Sequence, residues 1–217
     1  MVTLDALAAG DADWLAGFLL GSSWPYHAGV IDEDEVADRL RQGYYDGPDV
    51  VTLIVSDGSR RIGLARVEDL DDDSPTFDLR IGAEHRGQGH GSAALRELTR
   101  WVFDTHDVER FEGTTRQDNV AMRSAFRSIG FVKEAHYRRG WPTPDGRLLD
   151  AIGYAMLRVD WETGTSTPVA WDDEPRDDGV PDGPSPTGWM TRALRPVPPR
   201  SVDATRHGRI TQSSVTA

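Results

Sequence analysis

The chain of 217 residues contains no cysteine. That excludes a disulfide framework, a thiol nucleophile and any zinc site built on thiolates, and it fits a reducing compartment. A surplus of positive charge is also missing: 24 basic against 36 acidic side chains leave a formal net charge of −12. Affinity for a nucleic-acid backbone comes from cationic side chains that release condensed counterions, so nucleic acid is not an expected partner. An acidic surface instead raises the local concentration of amines and positively charged peptide termini. Long apolar runs are lacking as well. The stretch WLAGFLLG, residues 14–21, is far shorter than a membrane span, and Asp5, Asp11 and Asp13 ahead of it are unlike the basic start of a signal peptide. The expectations are a cytoplasmic location, no membrane partner, and a monomer or homodimer.

What is present divides the chain in two. Residues 163–217 are rich in Pro, Gly, Asp and Ser without a sustained period of 2 or 3.6, and such a composition buries too little apolar area to offset the entropy of ordering. Trp171 and Trp189 are the anchors by which this tail would dock locally. The expected organisation is a domain over 1–162, carrying nearly all the negative charge, and a tail over 163–217 that is largely extended or disordered.

Within the domain, VTLDAL reads as a strand and DADWLAGFLLG as a helix with Asp11 at its cap; after the loop SSWPYHAGV, Asp32 caps a second helix. VVTLIVS and RIGLARVEDL form a hairpin through Asp57-Gly58. TFDLRIG sets Phe77, Leu79 and Ile81 against Thr76, Asp78 and Arg80, the alternation of a half-buried strand. A helix over GSAALRELTRWVF, the strand RFEGTTR and a helix capped by Asp118 or Asn119 and stopped by Gly130 follow. FVKEAHYR and LDAIGYAMLRVDW close the unit as strands around WPTPDGR. The order βααβββαβαββ predicts an α+β fold with a mixed, mostly antiparallel six- to seven-stranded sheet flanked by about four helices.

The segment RIGAEHRGQGHGSAALREL, residues 80–98, places Gly87, Gly89 and Gly91 between a strand and a helix start. Free N–H groups and the helix dipole converge on an anion in such a loop. A dinucleotide fingerprint requires a third glycine where Ser92 stands, and follows a parallel strand, not a hairpin. A P-loop requires a lysine that the segment lacks, and a kinase-type glycine loop lies within a hairpin with no helix after it.

HRGQGHG matches the pattern R/Q-x-x-G-x-G/A at Arg86, Gly89 and Gly91, and Asn119 precedes Gly130-Phe131 by the spacing N-x(10)-G-F. Together these motifs resemble those of the GNAT superfamily of acyl-CoA-dependent N-acyltransferases. Glu134, Arg138, Asp150, Tyr154 and Leu157 further resemble the endings of the branch that acetylates ribosomal-protein N-termini, with Ala135 in place of the usual glycine. The resemblance covers residues 1 to about 162. It implies acetyl-CoA as co-substrate, with Arg86, Gly87, Gln88, Gly89, His90 and Gly91 around its pyrophosphate, Asn119 and Phe126 nearby, and backbone groups at Ile81 and Ala83 facing the pantetheine arm. It also implies a primary amine, either a protein N-terminus or a small amine or antibiotic, that attacks directly in a ternary complex.

The candidates for the general base are the carboxylates Glu68, Asp78, Glu112 and Asp150, although ion pairs among Arg66, Glu68, Asp78 and Arg80 account for several of them equally well. For the general acid the resemblance departs. Many relatives have a tyrosine where Phe126 stands and the ribosomal branch a serine where Met122 stands, which leaves Tyr137 as the candidate and Ser124 displaced. Trp24, Tyr26 and His27, with Asp150, are the candidates for the acceptor side, since an aromatic box suits a cationic amine; a hydrophobic plug over the core is the competing reading of the same loop, and His27 as the catalytic base is a further, less favoured one. Asp71, Asp72 and Asp73 lack the ligand spacing of a calcium loop, and His85, His90 and His106 have no metal-binding spacing, so no metal is expected. With both usual proton donors lost, the rival to an enzyme is a non-catalytic acyl-CoA-binding sensor or interaction module on the same fold.

Overall fold

Among the described residues the ladders are antiparallel and fall into two sheets. In the computed structural model, which describes residues 1–27 and 32–171, β3 (Val50–Asp57) and β4 (Arg60–Glu68) form the expected hairpin. Asp57 pairs with Arg60, so Gly58 and Ser59 make the turn; Gly58, with φ +60°, takes the positive dihedral that Asp57 was expected to share. β1 (Val2–Ala6) flanks β3, the two-residue β2 (Asp46–Gly47) also pairs with β3, and β5 (Thr76–Ile81) flanks β4. The second sheet is β6 (Arg110–Arg116), β8 (Leu148–Leu157) and β7 (Val132–Pro142) in that order. The α+β class and the element order hold; the single mixed sheet is replaced by two that meet along β5 and β6.

Helix α3 (His90–Thr105) connects those two strands, and α4 (Val120–Ile129) connects β6 to β7. Their apolar stripes, Leu95, Leu98 and Val102 on α3 and Met122, Phe126 and Ile129 on α4, pack on Phe77 and Phe111 in the main core. Truncating a wholly buried ring such as Phe77 to alanine is expected to cost about 3–5 kcal/mol. A smaller cluster lies where α1 (Ala12–Leu20) and α2 (Glu33–Arg41) bring Leu15, Leu19 and Val36 onto Leu64 and Tyr45. Leu64 is paired with Arg80, and residues opposite one another share a face, so these helices cover the polar face of β5. All six residues of β5 are therefore buried. The alternation in TFDLRIG was read as a half-buried strand, but its polar side faces a second core and not water.

Local signals explain most boundaries. Asp32 accepts the Glu35 N–H at 2.9 Å and caps α2. Asn119, not Asp118, caps α4 through Met122 N–H, and Gly130 stops it in the left-handed region at φ +101°. Asp11 does not cap α1; its carboxylate turns back to the Ala8 N–H and pairs with Arg61. The last strand ends at Leu157, and the residues after it, expected as strand, form the short helix α5 (Arg158–Thr163). Buried Asp160 then receives the N–H and hydroxyl of Thr167. Trp171 is largely exposed, while Trp189 and the rest of the tail lie outside the described residues.

Candidate active site

β5 and β6 begin side by side, joined by a hydrogen bond from the Glu112 N–H to the Pro75 carbonyl at 3.1 Å, and among the described residues no ladder continues it. On the other edge of β5, the Gly82 N–H donates to the Ile62 carbonyl. Antiparallel bonding alternates along a strand, so Leu79 and Ile81 direct their backbone groups to the side facing β6. Because the strands part there, a cavity of about 330 Å³ opens, walled by Leu79 and Ile81 on one side and by Ala121, Met122 and Ala125 of α4 on the other.

One end of this cavity is the glycine loop, with Arg86, Gly87, Gly89, Gly91 and Ser92 in its wall. Gly89 precedes α3 at φ +83°, a dihedral that strains any residue with a Cβ. The first intrahelical bond runs from Ala93 N–H to the Gly89 carbonyl and no side chain caps the helix, so the N–H groups of His90, Gly91 and Ser92 point out of the helix start. Gly91 has no positive φ, and a Cβ there would meet nothing within 4 Å. Neither strain nor crowding within the chain calls for glycine at that position; the missing side chain leaves the space above the helix terminus open to an anion.

The loop between α1 and α2 spans the gap. Trp24–His27 is a turn with Pro25 in its second position, closed by His27 N–H to the Trp24 carbonyl at 3.2 Å. Ser22 Oγ accepts the Ala83 N–H, the Ser23 carbonyl accepts Arg86 Nη2, and the Pro25 carbonyl accepts Arg116 Nη1. The turn is thereby tied to both sides of the cavity. Trp24, Tyr26 and His27 all line it. The aromatic faces are not vacant, however: the guanidinium carbons of Arg80 and Arg86 sit 5.3 and 5.2 Å from the Trp24 ring, and that of Arg116 sits 4.9 Å from Tyr26. The cationic partners of this box come from the chain itself.

Beneath the turn, His27 Nε2 lies 3.0 Å from Asp78 Oδ1, while Arg80 Nε and Nη2 donate to Asp78 Oδ2 at 2.8 and 2.7 Å. Burial by itself would raise the Asp78 carboxyl, but the Arg80 guanidinium and then His27 overcome it and hold that carboxyl well below the usual carboxylate range. For His27 burial wins over the pull of Asp78 and pushes the imidazole down, with Arg80 and Arg86 adding to the effect. Arg80 is thus the charged partner of the carboxylate and His27 the neutral one. An ionised carboxylate only accepts, so the imidazole proton is on Nε2 and Nδ1 carries the free lone pair.

Several expected site residues stand elsewhere. Glu68 pairs with Arg66 on β4, its carboxyl raised by burial against that pull, and Glu112 pairs with Arg110 on β6; neither lines the cavity. These pairs, like Asp78–Arg80, run along single strands, not across them. Asp150 accepts the Arg139 N–H and His136 Nε2, which hold its carboxyl down, and it too is outside the wall. Tyr137 is 55% exposed on β7, away from the cavity. Phe126 is fully buried, stacked on Tyr154 at 4.6 Å within the core, and is not part of the cavity wall. Gln88 and His90 turn their side chains to the Glu84 and His85 carbonyls. The Ala83 N–H is taken by Ser22, and the Ile81 carbonyl by Arg86 Nε at 2.8 Å. Asn119 lines the cavity, yet its amide already bonds Met122 N–H and Thr115 Oγ1. Leu79, Arg80 and Ser92 were not anticipated as wall residues; Leu79 was accessible from the sequence, standing one strand period before Ile81.

Parted strands beside a helix start with a glycine cradle agree with the chain's match to the family model for the acetyltransferase (GNAT) domain, which spans residues 2–132. It belongs to that family, and it is an acetyl-CoA-dependent N-acetyltransferase. A relative from Bacillus subtilis (strain 168), named "Putative ribosomal N-acetyltransferase YdaF", is 26% identical over 174 residues, covering 74% of this chain and 93% of its own length. "Uncharacterized N-acetyltransferase YobR" of the same strain is 32% identical over 77 residues, which are 35% of this chain and 31% of YobR. The solved structure of spermidine N-acetyltransferase from Vibrio cholerae in complex with CoA and spermine has a TM-score of 0.62 at 19% identity, covering 74% of this chain and 98% of that one. At that identity the likeness is one of fold.

Proposed function

We propose that the protein transfers the acetyl group of acetyl-CoA to the primary amine of a protein N-terminus or of a small molecule, by direct attack within a ternary complex. The observation that carries this reading is a cavity whose wall joins the glycine loop to a buried imidazole and guanidinium. His90, Gly91 and Ser92 would hold the pyrophosphate through backbone N–H groups, and Arg86 fixes the loop by binding the Ile81 and Ser23 carbonyls. The outward edge of β5 at Leu79, with the Ile81 N–H, would bond the pantetheine arm, the Ile81 carbonyl being held by Arg86. When bound, the co-substrate supplies an acetyl group activated as a thioester.

Of the expected carboxylate bases, Asp78 is the one that adjoins the cavity, and it does so through His27 and Arg80. An ionised carboxylate held this low is a poor proton acceptor, whereas the neutral imidazole beside it is a competent one. Tyr137, the expected general acid, is not in the wall, nor is the displaced Ser124, which leaves protonation of the departing thiolate to solvent or to the imidazolium. The test is thiol release from acetyl-CoA with a panel of peptides, amino-acid amides, aminoglycosides and polyamines. Saturable turnover on at least one acceptor is expected; CoA binding without thiol release on any of them would instead support the non-catalytic sensor.

A further inference from the structure

Among the described residues four buried side-chain polar atoms have no hydrogen-bond partner: His27 Nδ1, Thr52 Oγ1, Arg80 Nη1 and Trp141 Nε1. An unmatched buried donor or acceptor is destabilising and calls for a reason. His27 and Arg80 differ from the other two because they hold the same carboxylate, Asp78, and line the same cavity as the glycine loop. They are 8% and 5% exposed. Asp78 engages one nitrogen of the imidazole and two of the guanidinium, and so leaves a lone pair on His27 and an N–H group on Arg80. One is suited to an amine proton, the other to an oxygen carrying negative charge or a carbonyl dipole.

We infer that the acceptor is an amine with a carbonyl on the adjacent carbon, as at a peptide N-terminus or in an amino-acid derivative; His27 Nδ1 takes the amine proton and Arg80 Nη1 binds the carbonyl oxygen. The inference rests on the transferase reading above. A polyamine or simple alkylamine brings no oxygen and leaves Arg80 unmatched. In the reaction the amine lone pair forms the bond to the acetyl carbon, and the carbon–sulfur bond breaks with its electron pair on sulfur. The proton lost from nitrogen goes to Nδ1 and then to the thiolate or solvent. His27 is thus a catalytic residue and Asp78 a positioning residue that fixes the tautomer. The groups facing the imidazole are Asp78 and Arg80 from β5, Arg86 from the glycine loop and the Trp24 ring from its own turn. Both unmatched atoms lie beneath the cavity surface, and the Trp24 ring packs on both side chains, so the acceptor reaches them by displacing that ring while His27 stays on Asp78.

The full chain is to be assayed with acetyl-CoA and glycine amide, a glycine-led tetrapeptide, propargylamine and spermidine; glycine amide and propargylamine are small primary amines of similar basicity that differ in the carbonyl. The carbonyl compounds should exceed propargylamine by about 10–100-fold in kcat/KM, the discrimination expected of one hydrogen bond to a charged group. Arg80→Lys, which keeps a charge beside Asp78, should reduce that preference to about threefold or less without changing CoA affinity by calorimetry. His27→Gln should lower kcat about 100-fold and remove an acid limb that lies below pH 6.5, in step with the loss of the His27 resonance from an NMR titration. A tetrapeptide faster than the amide supports the inference with a protein terminus as source, and the reverse order supports it with an amino-acid derivative. Equal use of propargylamine, preference for spermidine, an Arg80→Lys defect in CoA affinity, or an acid limb that survives His27→Gln would each overturn it while leaving the transferase reading intact. CoA binding with no turnover on any acceptor overturns both.

Discussion

The two ends of the cavity are made of different material. At one end the groups that face the cavity are main-chain N–H groups of consecutive residues at the start of α3. At the other they are side chains from segments 51 positions apart, His27 and Asp78, brought together when the α1–α2 loop folds over β5. A backbone site needs little from its side chains except that they stay out of the way, so it can be altered without disturbing the fold. A side-chain site buried beneath a loop is also part of the core, so its chemistry and stability cannot be separated. The two ends are therefore expected to fail differently.

The largest difference is expected for Asp78→Ala. It strands the Arg80 guanidinium in the interior and removes the partner that orients His27, and breaking a buried ion pair from one side costs about 3–5 kcal/mol. Urea denaturation should record that loss. The double variant Asp78→Ala/Arg80→Met should recover part of it, because the unpaired charge is then gone. If the single variant is as stable as the parent, the acceptor end is not the second core described here.

Gly91→Glu makes the opposite prediction at the other end. The new side chain enters open space, and its charge near the helix start favours the dipole by about 0.3–1 kcal/mol. Stability should be unchanged or slightly higher. CoA affinity should nevertheless fall about 10–100-fold, roughly 1.4–2.7 kcal/mol, because a carboxylate then occupies the anion position; calorimetric titration separates the two effects. Unaltered CoA affinity would remove the cradle from the site.

The same contrast governs what could be read in advance. The glycine loop was legible because its requirement is local: positive φ at Gly89 and an absent side chain at Gly91 leave their mark on adjacent residues. Element order was legible for a similar reason, since caps such as Asp32 and stops such as Gly130 act within one turn. The polar face of β5 was not. Asp78 and Arg80 alternate with apolar residues just as solvent-facing residues do, and their burial depends on helices some 40 to 65 positions earlier. Phe126 shows the reverse case: its spacing from Asn119 suggested the cofactor, yet packing against Phe77, Phe131 and Tyr154 draws it into the core.

Acid should sharpen the contrast further. Burial lowers the His27 pKa below the unfolded value near 6.5, so between the two values the unfolded chain binds more protons than the folded one. His27 therefore contributes its full stability above pH 6.5, and that contribution declines as pH falls towards the folded pKa, with a slope of at most ~1.4 kcal/mol per pH unit for one proton. Asp78, held below its ordinary value of 3.8, adds a separate loss once pH falls below that value. His27→Gln should abolish the first decline and leave the second. Denaturation midpoints measured from pH 7.5 to 3 distinguish them, and an unchanged upper window in the variant would assign that proton to another group.

The smallest effect is expected at Asn119, which stands where the two kinds of construction meet. It lines the cavity, but its carbonyl oxygen caps α4 through the Met122 N–H at 3.2 Å and its amide donates to Thr115 Oγ1 at 3.0 Å. A side chain so engaged acts on the site by fixing where α4 begins, which sets the spacing between Met122 and the edge of β5. Asn119→Ala should therefore cost about 1 kcal/mol, the usual value of an N-cap, and lower CoA affinity by no more than about threefold. Asn119→Asp keeps the capping oxygen and should recover most of the stability. A larger loss of CoA affinity than of stability in the alanine variant would show instead that the amide bonds the cofactor directly and that its contacts within the chain are exchanged on binding.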